Sequence, residues 1–360
     1  MKLNISCPIN KTGYGISSLN IVKSLIKQKH QVFLMPIGPP GTSNQEDQTI
    51  ISELLNNVDM GAIDIDAPYL KIWHQFDLLN HFGKGAYFAF PFFELDTFNK
   101  YEIFNLRIPD VILTTSKWAQ RIVQNHVNTP TVVVPLGVDL TIFDHTIAPT
   151  RELEEEDKYI FLNIGKWEIR KCHDLLPDIF NKAFPKEKDV SLYILASETT
   201  NSYSNKEEIA SWKKLYGTDS RIKVISGLPS HSAIAQLIAN SNCGLYLSRA
   251  EGWNLELLET MAMNKPVIAS NYSAHTEFCT KDNSFLVDIQ SIEPAFDGKA
   301  FQNQGNWAKI TQKEIDITID YMRFAYKNRI STNINGLNTA NTYTWNNCMN
   351  ILTGCISRYS

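Results

Sequence analysis

The chain has 360 residues, of which 43% are hydrophobic and 20% charged, and it carries a formal net charge of −4. That length exceeds what one hydrophobic core usually serves, so two domains are expected. The composition is that of an ordinary globular enzyme, and the slight negative charge excludes the basic footprint of a nucleic-acid binder. Six cysteines stand at positions 7, 172, 243, 279, 348 and 355 with no C-x-x-C spacing, which fits a reducing compartment better than a disulfide framework. MKLNISCPIN has no apolar core of signal-peptide length, and no run reaches the 18 apolar residues of a membrane span. The expected location is the cytoplasm, with no transmembrane segment and with peripheral membrane contact left open.

Lys2 to Cys7 reads as a first strand, NKTGYGISS as a glycine-bearing turn, Ile16 to Lys29 as an amphipathic helix and Val32 to Met35 as a second strand. Gly13-Tyr14-Gly15 looks like a phosphate-binding turn in this βαβ start. A dinucleotide fingerprint needs a third glycine where Ser18 stands and an acid where Met35-Pro36 stands, so NAD is disfavoured. Pro39 to Asp47 reads as a loop. Asp64-Ile65-Asp66 has the spacing of a Mg²⁺ or Mn²⁺ pair but reads better as a solvated loop. Leu70 to Trp73 is a strand that delivers His74 to the carboxyl edge, where α/β sheets bind ligands. Tyr87 to Phe90 is the next strand, and the aromatic run after it reads better as core than as a ligand surface, with Glu94 at its end the residue that could contact a ligand. Val111 to Thr114 and Thr131 to Val134 are strands flanking a helix that Ser116 caps.

Asp144 to Lys158, with Pro149 and the acidic run Glu152 to Asp157, is a linker candidate. Tyr159 to Ile164 is a strand leading into GKWEIRK, which holds Lys166, Arg170 and Lys171. Strands at Val190 to Leu195, Ile222 to Ile225 and Cys243 to Leu247 alternate with helices near 205–216 and 230–239. Gly227-Leu228-Pro229 lies at a strand end. Then comes SRAEGWNLELLETMAMNKPVIASNYSAHTEF from Ser248 to Phe278. Glu251 lies in its strand-to-helix loop. Glu259 lies on the helix, about two turns in. Asn264-Lys265-Pro266 stops that helix, and Val267 to Ala269 is a strand. His275 and Glu277 follow in a loop. Trp307 to Asn328 and Thr344 to Ser357 read as long amphipathic helices.

The Ser248 to Phe278 stretch resembles the donor-binding signature of retaining glycosyltransferases of family 4. Its likeness lies in the Glu-Gly pair, the seven residues between the two glutamates, and the Pro-Val-Ile that follows the helix. Pro135-Leu136-Gly137-Val138-Asp139 with Phe143 resembles the family's hinge-side pattern. The resemblance implies an α/β GT-B fold in which two Rossmann-like domains with parallel sheets face each other across a cleft. Residues 1–144, joined by the last helix at about 343–360, would form the acceptor side. Residues 145–342 would bind the nucleotide sugar.

The resemblance also implies roles. Glu251 would hold the sugar hydroxyls, Glu259 the ribose, and His74 would orient the sugar at the anomeric centre. Lys171 would neutralise the leaving diphosphate, with Lys166 five residues before it and Arg170 able to replace either. Gly13, Gly15, Trp253, Asn254 and Leu255 complete the donor-binding set. The implied reaction moves a hexosyl group, with retention, from a nucleoside diphosphate sugar to a glycan, lipid-linked or protein acceptor, with a UDP-sugar favoured over a GDP-sugar. No metal and no other cofactor is expected. The alternatives are a sugar-nucleotide epimerase of the same fold, a phosphorylase carrying pyridoxal phosphate, and a non-catalytic nucleotide-sugar-binding protein.

Overall fold

A computed structural model describes residues 1–42, 44–59, 63–197, 210, 211, 214–217 and 219–359. The chain divides into two compact units, Met1–Gly137 with Tyr343–Ser360, and Val138–Thr342.

The first unit is built on a parallel six-stranded sheet. Its strands are β1 (Lys2–Cys7), β2 (Gln31–Pro36), β3 (Tyr69–Lys71), β4 (Tyr87–Ala89), β5 (Val111–Thr114) and β6 (Thr131–Val133), in the spatial order β2-β1-β3-β4-β5-β6. β1, β3, β4 and β5 are buried almost throughout. That explains why they read as continuous apolar runs rather than alternating ones. Tyr69, Tyr87, Phe93, Phe98 and Trp118 fill the core on one face. Ser116 caps the helix Lys117–Gln124, accepting from Ala119 N–H at 3.1 Å. The helix Trp345–Tyr359 belongs to this unit. Its start lies so close to Gly137 that a β-carbon there would meet Trp345 N at 2.3 Å, so only glycine fits.

The second unit repeats the plan with β7 (Tyr159–Lys166), β8 (Val190–Ser197), β9 (Ile222–Ser226), β10 (Cys243–Tyr246), β11 (Val267–Asn271) and β12 (Phe285–Asp288), in the order β12-β11-β10-β7-β8-β9, again parallel. Tyr159, Phe161, Phe180, Phe184 and Tyr216 lie in its core. A separate antiparallel hairpin, β13 (Ile292–Phe296) with β14 (Gln302–Ala308), is appended after β12.

Several expectations change, and His275 and Glu277, read as a loop, lie in the short helix His275–Phe278. Trp307 and Ala308 end a strand, and the helix expected from Trp307 begins at Gln312. Thr311 and Glu314 form a capping box there, each satisfying the other's backbone N–H. Residues 45–59 form a helix (Gln45–Asp59) where a loop was read up to Asp47. Ile334–Thr342 is a further helix that the reading passed over. The helix expected near 205–216 lies mostly outside the described residues.

Candidate donor and acceptor sites

In the second sheet, chain order runs from β7 outward to β8 and β9, then returns to β10 on β7's other side. A crevice opens at such a switch point beyond the carboxyl ends of the strands. Two loops meet there: residues 167–175 after β7, and 247–254 after β10.

The first loop is fixed from beneath. His173 Nε2 lies 2.9 Å from Asn163 Oδ1, whose amide nitrogen donates to the Leu245 carbonyl at 2.7 Å. The Lys171 stem crosses Gly165, where a β-carbon would come within 3.2 Å of Lys171 Cδ. The two loops are then locked by charge. Arg170 donates to Glu251 Oε2 at 2.8 Å, to the Ala250 carbonyl at 2.7 Å and to Glu168 Oε2 at 2.7 Å. Lys171 Nζ stands 2.9 Å from Glu251 Oε1. Arg249, bidentate to Asp174 at 3.0 Å, ties the same loops a second time. Burial disfavours an ionised Glu251, but Arg170 and Lys171 outweigh it and hold its carboxyl well below the usual range. The Lys171 ammonium is likewise held charged: burial opposes the charge and Glu251 more than restores it.

Glu259 is the fifth residue of the helix Leu255–Ala262, just past one turn from its start. It is buried, and no hydrogen bond or ion pair reaches its side chain among the described residues. Burial first, and Glu256 second, push its pKa well above the ordinary value. The helix start is set by Asn254, a left-handed residue (φ 83°) whose Oδ1 accepts from Leu257 N–H at 3.2 Å. The first-turn amides, from Leu255 onward, face the crevice end of the helix and carry its positive dipole. Trp253 is buried against Phe278, ring centroids 4.8 Å apart. Lys166, at the end of β7, is half-buried and makes no hydrogen bond or ion pair among the described residues. The structure therefore brings Arg170, Lys171 and Glu251 into contact and leaves Lys166 and Glu259 without a hydrogen bond or ion pair among the described residues.

The first sheet has its own switch point, between β1 and β3. There Tyr14, at the start of the helix Gly13–Lys27, meets His74. Their ring centroids are 4.6 Å apart, with Trp73, Phe76 and Phe92 completing an aromatic nest. Tyr14 Oη donates to the Phe92 carbonyl at 2.9 Å and accepts from Phe92 N–H at 2.7 Å. Gly15 is required by packing, since a β-carbon would strike the Asn10 backbone at 2.3 Å, whereas Gly13 is open. Asp64, of the Asp-x-Asp pair, is bound to Lys2 at 2.8 Å and to the Asp66 amide at 3.1 Å. Sequence reasoning passed over Tyr14, Ser273 (whose Oγ accepts Glu251 N–H at 2.8 Å) and the Asn163–His173 pair. Tyr14's signal was its place between the two turn glycines.

Residues 145–297 match the family model described as glycosyl transferases group 1. Among solved structures, the chain is similar to a sucrose-phosphate synthase from Thermosynechococcus elongatus, at 14% identity over 100% of both chains with a TM-score of 0.70. It is similar to Anabaena HepE in complex with UDP and glucose, at 13% identity over 99% of this chain and 100% of that one, TM-score 0.63. An E. coli trehalose-6-phosphate protein bound with UDP-2-fluoro glucose aligns at 9% identity over 100% of both chains, TM-score 0.73. The fold is GT-B. No curated protein sequence matches the chain. The fold and the family-model match together support a glycosyltransferase. Among the described residues of this GT-B chain, no helix is long and apolar enough to cross a membrane.

Proposed function

We propose that this protein transfers a hexosyl group from a nucleoside diphosphate sugar, a UDP-sugar in preference to a GDP-sugar, with retention of configuration. The observation that carries the reading is Glu259. A buried carboxyl with no partner costs stability unless something supplies donors, and two vicinal ribose hydroxyls are such donors. In this reading the diphosphate lies against the first amides of the helix Leu255–Ala262, with Lys166 and Lys171 countering its charge. Arg170 serves by holding Glu251, and Trp253, Asn254 and Leu255 shape the loop around the donor.

Glu251 takes the sugar hydroxyls. Two cations depress its basicity, so it is a weak nucleophile, and an oxygen of the leaving diphosphate is the better base for the incoming acceptor hydroxyl. That favours attack on the face the diphosphate leaves from, which retains configuration. His74, Gly13 and Gly15 serve from the first unit, His74 by orienting the transferred sugar. No metal is needed where lysines and helix amides carry the charge.

Thermal unfolding with UDP, GDP, ADP, CMP and their sugar conjugates tests this without an acceptor. Ligand at a hundredfold excess over its dissociation constant adds about 2.7 kcal/mol to folded-state stability, a rise of several degrees in a unit of this size. A rise with one nucleotide class that is lost in Glu259→Ala supports the reading, and no rise with any nucleotide overturns it.

A further inference from the structure

The antiparallel hairpin β13–β14 stands outside the six-stranded sheet, yet it reaches the loops that carry Arg170, Lys171 and Glu251. Its base is closed by Lys309 N–H, which donates to the Ser291 carbonyl at 2.9 Å. The next link goes to the loop after β10: Ala308 N–H donates to the Arg249 carbonyl at 2.9 Å. Glu293 and Trp307 are cross-strand partners, so their side chains share one face of the hairpin. Both meet the Arg249 guanidinium. Glu293 Oε1 lies 3.8 Å from Arg249 Nε, and the guanidinium carbon stands 5.9 Å from the centroid of the Trp307 ring.

The other side of the guanidinium belongs to the loop after β7. Besides its two bonds to Asp174, it donates to the Ile169 carbonyl and lies 3.5 Å from Cys172 Sγ. These contacts bracket the short turn Ile169–Lys171, which ends at Cys172 in left-handed backbone (φ 58°). Arg249 N–H also donates to the Arg170 carbonyl at 2.7 Å. Arg249 is buried, and a buried guanidinium is costly unless carboxylates and carbonyls surround it. Here two carboxylates from two different elements do so. Its side-chain partners, Ile169, Cys172, Asp174, Glu293 and Trp307, lie outside the residues assigned to the donor. Yet Lys171 follows Arg170 directly, and Glu251 stands two residues after Arg249.

We propose that this hairpin is part of the donor machinery: Glu293 and Trp307 hold Arg249, Arg249 holds the turn at 169–172, and that turn presents Lys171 to Glu251 and to the β-phosphate of the donor. Arg249 is thereby a positioning residue. The β-phosphate half of this inference rests on the transferase reading. A lysine at 249 would keep the charge but lose the planar fork that reaches Asp174, Ile169 and Glu293 together.

Two measurements on the full chain test it. Alkylation of the native protein by iodoacetamide, read at each cysteine by mass spectrometry, follows the turn. Burial pushes the Cys172 thiol up to about 12 and keeps it slow to react. Arg249→Lys and Glu293→Gln should each raise alkylation at Cys172 at least about fivefold. Cys243, buried in β10 of the same unit, should stay as slow as in wild type. No rise at Cys172 in either variant overturns the proposal. A rise shared equally by Cys243 overturns it as well, because the unit as a whole has then loosened. Calorimetric binding of UDP and UMP reads the site. Both variants should weaken UDP by about fivefold to tenfold and leave UMP within about twofold, since only UDP carries the β-phosphate. Equal losses for the two nucleotides, or none, overturn the donor role. A wild-type chain that binds neither overturns the transferase reading and the donor role with it, while the labelling still decides whether the hairpin holds the turn.

Discussion

Asn254 Nδ2 and His275 Nε2 lie 2.9 Å apart with both side chains buried. His275 Nδ1 is 3.0 Å from the Ser270 carbonyl oxygen, which can only accept, so Nδ1 carries the proton and Nε2 accepts from the asparagine. One asparagine therefore joins the loops after β10 and β11 and caps the helix Leu255–Ala262 from a left-handed backbone. Asn254→Gly keeps that backbone at ease but loses both side-chain bonds, at roughly 1–3 kcal/mol. Asn254→Ala loses the same bonds and adds about 1 kcal/mol of left-handed strain. Melting temperatures should fall in the order wild type, glycine, alanine. An alanine variant as stable as the glycine one would show that the backbone at 254 relaxes.

Stability should decline on the acid side through two buried histidines. Burial first, with the neighbouring Lys171 ammonium, pushes the His173 pKa down to about 3. Burial also lowers that of His275. Above pH 6.5 both rings are neutral in either state and cost nothing. As the pH falls below 6.5 the unfolded chain takes up protons that the native state refuses. Stability should then drop by up to about 1.4 kcal/mol per pH unit for each ring, and for His173 the loss continues to about pH 3. Urea unfolding from pH 7 to 5 reads the slope. His173→Gln, which can still donate to Asn163, should flatten it, and an unchanged slope would remove His173 from the account.

Most strands were legible in the sequence because parallel strands buried on both faces are apolar runs between turn residues. Cys243 to Leu247 and Val267 to Ala269 stand out in that way. The strand Gln302–Ala308 was not legible. It is polar, its partner Ile292–Phe296 is equally mixed, and Trp307 falls in helical phase with the residues after it. The true helix start was written at Thr311 and Glu314, three apart, and outweighs that phase. In the site, the residue types and their spacing were legible. Their pairing was not, since Arg170 and Glu251 are 81 residues apart and only the strand order brings their loops together.

Glu259→Gln should separate folding from binding. Burial first, and the neighbouring Glu256 second, raise the pKa of the Glu259 carboxyl in the native state well above its ordinary value. Stability contributed by this group is therefore present below pH 4.5 and is lost as the pH rises above it. A neutral amide removes that cost, so the ligand-free variant should melt higher at pH 7. The same change should reduce the nucleotide-induced shift, because an amide is a weaker acceptor for ribose hydroxyls than a carboxylate. A lower melting point for the ligand-free variant would mean that Glu259 makes a native interaction.

Lys166 and Lys171 should separate by the same logic. Lys171 is buried against Glu251, and its loss leaves Glu251 with one cation in place of two. Lys171→Ala should destabilise the fold by up to about 3 kcal/mol, the lower end of what breaking a buried pair costs, because Arg170 remains. Lys166 is half-buried without such a pair, so Lys166→Ala should stay within about 0.5 kcal/mol of wild type. Both should slow transfer, since each cation counters charge that grows on the leaving diphosphate. The clean measurement is the pair of kcat values against the pair of melting temperatures. A Lys166→Ala enzyme with wild-type stability and reduced kcat assigns that lysine to the donor. Wild-type kcat there would leave the diphosphate to Lys171 and the helix amides, and would make Lys166 an ordinary surface residue.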